Sequence, residues 1–183
     1  MQHEDHVALI RAGVEGAGSR WLELGAGDGE FTLALADVLG AGGDIVALDL
    51  DRGALTRLAG RVAGRFPDTT LRTITADFTA GLPAGPFDGV LAANSLHFVD
   101  SVGSVLAAIH AALRPGGRLV IVEYDADRGN PWVPHPISFA RLGAHVRGAG
   151  FAEPELIHRV PSRFLGAIYG ARCVAGPRRP GDD

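Results

Sequence analysis

The chain has 183 residues, of which 46% are hydrophobic and 21% are charged, and its formal net charge is −4 at pH 7. This length and composition predict one domain over residues 1–174 with a substantial core, and a flexible tail over residues 175–183. The acidic balance argues against a nucleic-acid partner, and no apolar run reaches the roughly 20 residues that a membrane span needs.

The N-terminus and the cysteine content predict a cytoplasmic location. The first six residues are polar and acidic and lack the basic and apolar regions of a secretory signal. Cys173 is the only cysteine, so no internal disulfide is possible, and a reducing compartment is the expected environment.

The first strong pattern along the chain is an apolar strand that ends in three glycines at alternate positions. A short leading helix is predicted over Val7 to Gly16, the strand Trp21–Leu24 follows, and the turn Gly25–Gly29 then opens a helix at Phe31. Glycines are needed where the backbone has a positive φ or approaches a ligand closely, and a helix N-terminus adds a partial positive charge. The pattern therefore predicts a ligand cradle at the carboxyl end of this strand.

The spacing and charge of this turn indicate which ligand it holds. The glycines follow G-x-G-x-G, whereas the dinucleotide fingerprint is G-x-G-x-x-G with a pyrophosphate on the helix N-terminus. Glu30 follows the last glycine, and Asp28 and Glu23 add acid nearby. Carboxylates disfavour a pyrophosphate, so an acidic turn favours a cationic or zwitterionic ligand.

A second buried strand, Asp44 to Leu50, contains an acid near its end. Asp49 lies about 20 residues beyond the glycine turn, the spacing expected for a carboxylate that binds a ribose. Asp51 is predicted to cap the helix that runs to Arg65.

The remaining elements predict an α/β fold. Further strands are predicted at 70–75, 87–94, 118–123, 151–160 and 164–174, and further helices at 102–113 and 137–149. Continuously apolar strands that alternate with helices are typical of a parallel sheet covered on both faces. Only Pro161, Ser162 and Arg163 separate the last two strands, and a connection that short permits only an antiparallel pair.

From about residue 20 to residue 174 the chain resembles the class I S-adenosylmethionine-dependent methyltransferases. The resemblance is carried by five segments in the family's order: the glycine turn with Glu23, Asp49-Leu50, Ala76-Asp77-Phe78, Asn94-Ser95-Leu96-His97, and Leu113-Arg114-Pro115-Gly116-Gly117. It implies a Rossmann-like doubly wound sheet of seven strands, mostly parallel with a C-terminal antiparallel hairpin, in the order 3-2-1-4-5-7-6. It also implies S-adenosyl-L-methionine as the cofactor.

The resemblance also implies a set of cofactor-binding residues. Asp49 would bind the ribose hydroxyls, Leu50 would pack on the adenine, and Asp77 would accept from its exocyclic amine. The full predicted set is Glu23, Gly25, Ala26, Gly27, Asp28, Gly29, Asp49, Leu50, Asp77, Phe78 and Asn94. Structural roles are the alternatives at this stage: Asp77 and Asn94 as turn residues, Leu50 and Phe78 as core, Asp28 as a turn residue, and Arg118 as the partner of Glu23.

Transfer of the methyl group is an in-line displacement, so orientation of the reactants supplies much of the catalysis, and a base is needed only if the nucleophile arrives protonated. The predicted catalytic residues are His97, Tyr124 and Asp125, with Asp100 and His135 as further candidates at the strand ends. A packed histidine is the alternative role for His97. The proline-rich segment around Trp132 is hypothesised to form one wall of the acceptor pocket.

The acceptor is predicted to be a small molecule. The D/N-P-P-Y string of some amino-methylating enzymes is absent after the fourth strand, and Cys173 lies in the last strand, far from where a pyrimidine C5 nucleophile is expected. No zinc or EF-hand spacing occurs, so no metal is predicted, and a homodimer would cover an open pocket. Two alternatives remain at this stage: a non-catalytic cofactor- or partner-binding module, and an NAD-dependent oxidoreductase, which Asp49 also fits.

Overall fold

Seven strands form one sheet in the order β3-β2-β1-β4-β5-β7-β6, which confirms the predicted topology. The computed structural model describes residues 1–177. The strands are β1 Arg20–Leu24, β2 Asp44–Asp49, β3 Thr70–Thr75, β4 Phe87–Ala93, β5 Leu113–Tyr124, β6 Glu155–Pro161 and β7 Ala167–Val174. The helices are α1 His3–Val14, α2 Glu30–Leu39, α3 Arg52–Arg65, α4 Gly103–Ala112 and α5 Phe139–Gly148, with a short 3-10 turn at Leu96–Phe98.

The strand order reverses between β1 and β4. β1 is parallel to β2 on one side and to β4 on the other, while β7 is antiparallel to both β5 and β6. In open sheets of this kind, ligands bind outside the carboxyl ends of the strands at the point of reversal. The loops after β1, β2, β3 and β4 all lie at that edge.

The two faces of the sheet bury separate parts of the core. Leu22 and Leu24 of β1 pack in a cluster with α4 and α5, whereas Trp21 packs with α1 and α2 on the opposite face. Successive side chains of a strand point to opposite faces, so Glu23 lies on the same face as Trp21, toward α2. This alternation places a carboxylate inside the apolar layer between β1 and α2.

The segment before the fifth strand differs from the prediction. A turn was expected over 114–117 with the strand beginning at Arg118, but β5 begins at Leu113, which is buried and pairs with Phe87 of β4. Gly117 accepts a hydrogen bond from the backbone N–H of Ala175. Ala175, predicted as the first residue of the tail, is therefore buried against the sheet, and residues 178–183 of that tail lie outside the described residues.

The C-terminal hairpin is shorter than predicted at both of its strands. β6 begins at Glu155 instead of Phe151, because Phe151 is held by the end of α5 and by a bridge to Ala175. β7 begins at Ala167, and Phe164 lies in the connecting loop. Among the described residues, none of the helices is both long and apolar enough to cross a membrane.

Candidate functional site

A cavity of about 420 Å³ opens at the carboxyl edge of the sheet, where the strand order reverses. Four loops contribute to its lining, which consists of Gly25, Asp49, Leu50, Ala76, Asp77, Phe78, Thr79, Asn94, Ser95, Phe98 and Val99. The volume falls within the usual range of small-molecule sites, about 300–1,000 Å³. Six of the predicted cofactor-binding residues therefore line one cavity: Gly25, Asp49, Leu50, Asp77, Phe78 and Asn94.

Two buried polar atoms at this cavity have no hydrogen-bond partner within the described chain. They are Oδ1 of Asn94 and Oγ of Ser95. Asn94 also has a φ of 52°, an uncommon conformation for a residue other than glycine. A Cβ added at Gly25, whose φ is 72°, would lie 2.7 Å from the Cβ of Ser95. Unpaired buried polar atoms beside a space that only glycine leaves open indicate a polar ligand.

Asp49 links the ends of β1 and β2. One carboxylate oxygen accepts the backbone N–H of Gly27 at 2.7 Å, and the other accepts that of Asp51 at 2.8 Å. Asp51 itself caps α3 by accepting from Gly53 and Ala54, as predicted. The carboxylate of Asp49 therefore shapes the glycine turn and still faces the cavity.

The wall opposite the glycine turn combines an acid with apolar side chains. Asp77 accepts hydrogen bonds from the backbone N–H and the hydroxyl of Thr79, at 2.8 and 2.6 Å. The hydroxyl contact, followed by the backbone contact, lowers the pKa of Asp77 below its usual value. Leu50 is exposed at the cavity, and Phe78 is half-buried. An ionised acceptor between apolar surfaces suits a flat ring with an amino group.

The other glycine-turn residues lie behind this surface. Gly27 presents its N–H to Asp49, and a Cβ at Gly29 would lie 2.2 Å from Leu58 of α3. Asp28 points away from the cavity and forms an ion pair with Arg57 at 2.7 Å. These residues shape and anchor the turn, and Asp28 does so through α3.

Glu23 is almost completely buried beneath the turn. It accepts a hydrogen bond from the hydroxyl of Thr32, with an O···O distance of 2.5 Å. Burial raises the pKa of Glu23 to about 8, the contact with Thr32 opposes that shift, and nearby Asp49 adds to it. Arg118, the alternative partner considered for Glu23, instead donates to the backbone oxygens of Gly13 and Glu15.

We expect Glu23→Gln to remove a pH dependence of stability. The pKa of Glu23 is about 8 in the folded protein and about 4.5 without burial, so the unfolded chain loses this proton first and stability falls as pH rises between these values. The variant should therefore gain on the order of 3 kcal/mol over the wild type between pH 5 and pH 9. Urea unfolding at both pH values measures this, with Glu4→Gln on the exposed start of α1 as control. Parallel pH curves for the wild type and Glu23→Gln would contradict the assignment.

A second, buried polar pair lies at the ends of β4 and β5. Nδ1 of His97 lies 2.9 and 3.1 Å from the two carboxylate oxygens of Glu123, and both side chains are buried. Glu123 also accepts the backbone N–H groups of His97 and Tyr124. A carboxylate oxygen accepts hydrogen bonds, so Nδ1 is assigned as the donor to Glu123, and Nε2 is the ring nitrogen that Glu123 does not contact. The imidazole is thereby oriented as it is in a base–carboxylate pair of a hydrolase triad.

Sequence patterns did not indicate Glu123 as a functional residue. It was only the last residue of a predicted apolar strand, 26 residues after His97. The available signal was the charge itself, because an acid at the buried end of such a strand needs a partner.

The other two predicted catalytic residues, Tyr124 and Asp125, lie outside the cavity lining. The ring of Tyr124 lies 5.9 Å from that of His97, and burial, with Glu123 adding to it, raises the pKa of Tyr124. Asp125 accepts the backbone N–H of Phe139 and forms an ion pair with Arg159 at 2.7 Å. Asp125 thus joins α5 and β6, and neither residue lines the cavity.

The further candidates Asp100 and His135 lie on the other side of Val99 from the cavity. Their closest polar atoms are 3.7 Å apart, and both side chains reach solvent. They border a smaller cavity of about 220 Å³. No three metal-binding side chains are grouped together within residues 1–177.

Comparison with known proteins extends this description. The sequence model of a family described as a methyltransferase domain matches residues 22–119. A segment of a reducing polyketide synthase from a Penicillium species is 34% identical over 160 residues, which is 75% of this chain but only 6% of the synthase. The demethylmenaquinone methyltransferase of Clavibacter sepedonicus is 37% identical over 165 residues, covering 89% of this chain and 61% of that enzyme.

A solved structure is similar over nearly the whole chain. It is the 1,6-didemethyltoxoflavin-N1-methyltransferase of Burkholderia thailandensis, with bound 1,6-didemethyltoxoflavin and S-adenosylhomocysteine. The TM-score is 0.75 at 25% identity, and the match covers 96% of this chain and 78% of that one. These matches support neither the NAD-dependent nor the non-catalytic alternative.

Proposed function

The chain belongs to the class I S-adenosylmethionine-dependent methyltransferase family, and from this premise we propose that it methylates a small molecule at an atom that must first lose a proton. The observation that carries this proposal is the buried pair of His97 and Glu123, which lies behind the cavity lining and contacts it through Phe98. A base oriented in this way is needed only when the nucleophile is protonated before transfer.

The residues that line the cavity of about 420 Å³ fit the cofactor. Its amino-acid end would meet the unpaired oxygens of Asn94 and Ser95, with Glu23 below, and its ribose hydroxyls would meet Asp49. Leu50, Phe78 and Asp77 would hold the adenine. When bound, S-adenosylmethionine supplies an electrophilic methyl group on a positively charged sulfur. The described lining of this cavity contains Asp49 and Asp77 and no basic side chain, which favours a positively charged ligand.

His97 is the residue proposed to accept the proton of the acceptor. Its ring touches Phe98, with centroids 4.3 Å apart, and Phe98 lines the cofactor cavity. Glu123 holds the proton on Nδ1 and stabilises the charged imidazolium that forms after proton uptake. Tyr124 then contributes its ring surface, and Asp125 contributes the link between α5 and β6.

The names of the similar proteins support a small acceptor. One methylates a toxoflavin precursor, and another a demethylmenaquinone. The predicted homodimer and the predicted cytoplasmic location remain predictions.

A transfer assay with isotope-labelled cofactor tests the proposal. We expect labelling of small acceptors that carry a weakly acidic O–H or C–H group, such as 2-naphthol and acetylacetone. N,N-dimethylaniline, a tertiary amine that is unprotonated at neutral pH and needs no base, should be labelled at the same rate by the wild type and by His97→Gln. Labelling of added protein or RNA, with none of the small acceptors, would contradict the proposal.

A further inference from the structure

Four of the exposed large apolar side chains fall into two pairs, one that lines the cofactor cavity and one whose rings contact each other outside it. Of the six large apolar side chains that are exposed within residues 1–177, Leu50 (70%) and Phe98 (64%) line the cavity itself. Trp132 (69%) and Phe164 (51%) are two others, and their rings lie 6.2 Å apart. Monomeric proteins seldom expose such clusters without a binding role.

A series of ring contacts connects this pair to His97. Phe164 contacts Tyr124, with ring centroids 5.9 Å apart, and Tyr124 contacts His97 at the same centroid distance. His97 in turn contacts Phe98 at the cavity. The exposed pair is therefore continuous with the site where the proton is removed, and it lies at the outer end of that path.

Local turns hold the backbone at both exposed rings. The side-chain oxygen of Asn130 accepts the backbone N–H groups of Trp132 and Val133, each at 2.9 Å. Oγ of Ser162 accepts the backbone N–H of Phe164 at 3.1 Å in the same manner. The rings of Trp132 and Phe164 are nearly perpendicular, with an angle of 81°. Two nearly perpendicular rings form a corner in which a flat molecule can stack on one ring and meet the other edge to face.

Charge contributes little to this corner from below. The carboxylate of Glu123 is paired with His97, and that of Asp125 is paired with Arg159 and accepts the backbone N–H of Phe139. Neither carboxylate is therefore available to a ligand at the corner. We propose that Trp132 and Phe164 form an aromatic clamp for a flat aromatic ring of the acceptor, whose reacting end points toward His97. This inference rests on the proposed function and adds the class of acceptor: an aromatic compound instead of a saturated one.

The test compares two alcohols of similar size, flat 2-naphthol and saturated trans-2-decalol, by equilibrium dialysis against the protein saturated with S-adenosylhomocysteine. We expect 2-naphthol to bind at least tenfold more tightly. Trp132→Ala and Phe164→Ala should each weaken 2-naphthol binding by about five- to tenfold, while Trp132→Phe retains most of the affinity. Leu156→Ala, on an exposed residue of β6, is the control and should have no effect.

An NMR measurement locates the bound ring independently. The chain has two tryptophans, and the indole N–H of buried Trp21 donates to the backbone oxygen of Gly18. Binding of 2-naphthol should shift the indole signal of Trp132 and leave that of Trp21 in place. The clamp is refuted if decalol binds as tightly as naphthol, if Trp132→Ala binds normally, or if Leu156→Ala loses as much.

The two proposals fail separately. If S-adenosylhomocysteine binds and acceptors are methylated but naphthol shows no advantage, the clamp is wrong and the proposed function stands. If no small acceptor is labelled, the proposed function is wrong, and the ratio of naphthol to decalol affinity still decides whether the clamp exists.

Discussion

Replacing Asp49 with alanine is expected to raise the dissociation constant of S-adenosylhomocysteine by more than tenfold while the domain stays folded. An ionised carboxylate offers about four lone-pair positions. Two of them are occupied, by the backbone N–H groups of Gly27 and Asp51. The remaining two match a pair of ribose hydroxyls, and a hydrogen bond to a charged group contributes about 1.5–3 kcal/mol. Isothermal titration calorimetry measures the affinity, and thermal unfolding measures the fold.

Asp51→Ala is the matched control for this experiment. Asp51 lies two residues further along and accepts from Gly53 and Ala54 at the start of α3. Its loss should lower the melting temperature, because α3 loses its N-cap, and leave cofactor affinity unchanged. If Asp51→Ala weakens cofactor binding as much as Asp49→Ala, the lower affinity is caused by a less ordered turn and not by loss of the ribose contact. A near-normal dissociation constant for Asp49→Ala would refute the ribose contact.

The fold was predictable because its strongest signals are local. Continuous apolar strands, glycine turns and the antiparallel pairing of the last two strands required only the pattern of neighbouring residues, although the connection at 162–166 is longer than the predicted three residues. The ends of elements were less predictable, because they depend on partners far away in the sequence. β5 begins at Leu113 because Phe87 pairs with it, and Ala175 joins the sheet because Gly117 accepts its N–H.

The site shows the same difference between residues with a local sequence signal and residues that depend on distant partners. Asp49 and Asp77 follow strands at recognisable spacings, and both line the cavity. Glu123 gave no such signal, since its role depends on His97 at the end of the neighbouring strand. The sequence predicts a strand from Phe164, but the turn at Ser162 keeps this residue in the loop. Residues whose function arises from contacts between loops are those that a single sequence conceals.

Substitutions in the His97–Glu123 pair are expected to lower kcat strongly, and a graded loss between the two variants distinguishes proton transfer from a loss of structure. We expect His97→Gln to lower kcat for 2-naphthol by about 10²–10⁴-fold, the usual contribution of a positioned base, with the affinity for S-adenosylhomocysteine unchanged within twofold. Glu123→Gln should lower kcat less, by about 10–100-fold, because the imidazole remains but its proton position and its charged form lose support. Steady-state kinetics across pH 6–10 measures both variants.

Tyr124→Phe is the control for these kinetics, since it removes a neighbouring hydroxyl and keeps the ring contact with His97. Its kcat should change by less than about threefold if His97 is the base. The pH profile adds a readout that a structural role would not alter. Raising the pH ionises 2-naphthol in solution and should restore much of the activity of His97→Gln, because an acceptor that has already lost its proton needs no base. A variant whose activity stays equally low from pH 6 to pH 10 would instead place His97 in the packing of the site, and a larger loss in Tyr124→Phe would assign the proton transfer to the phenol.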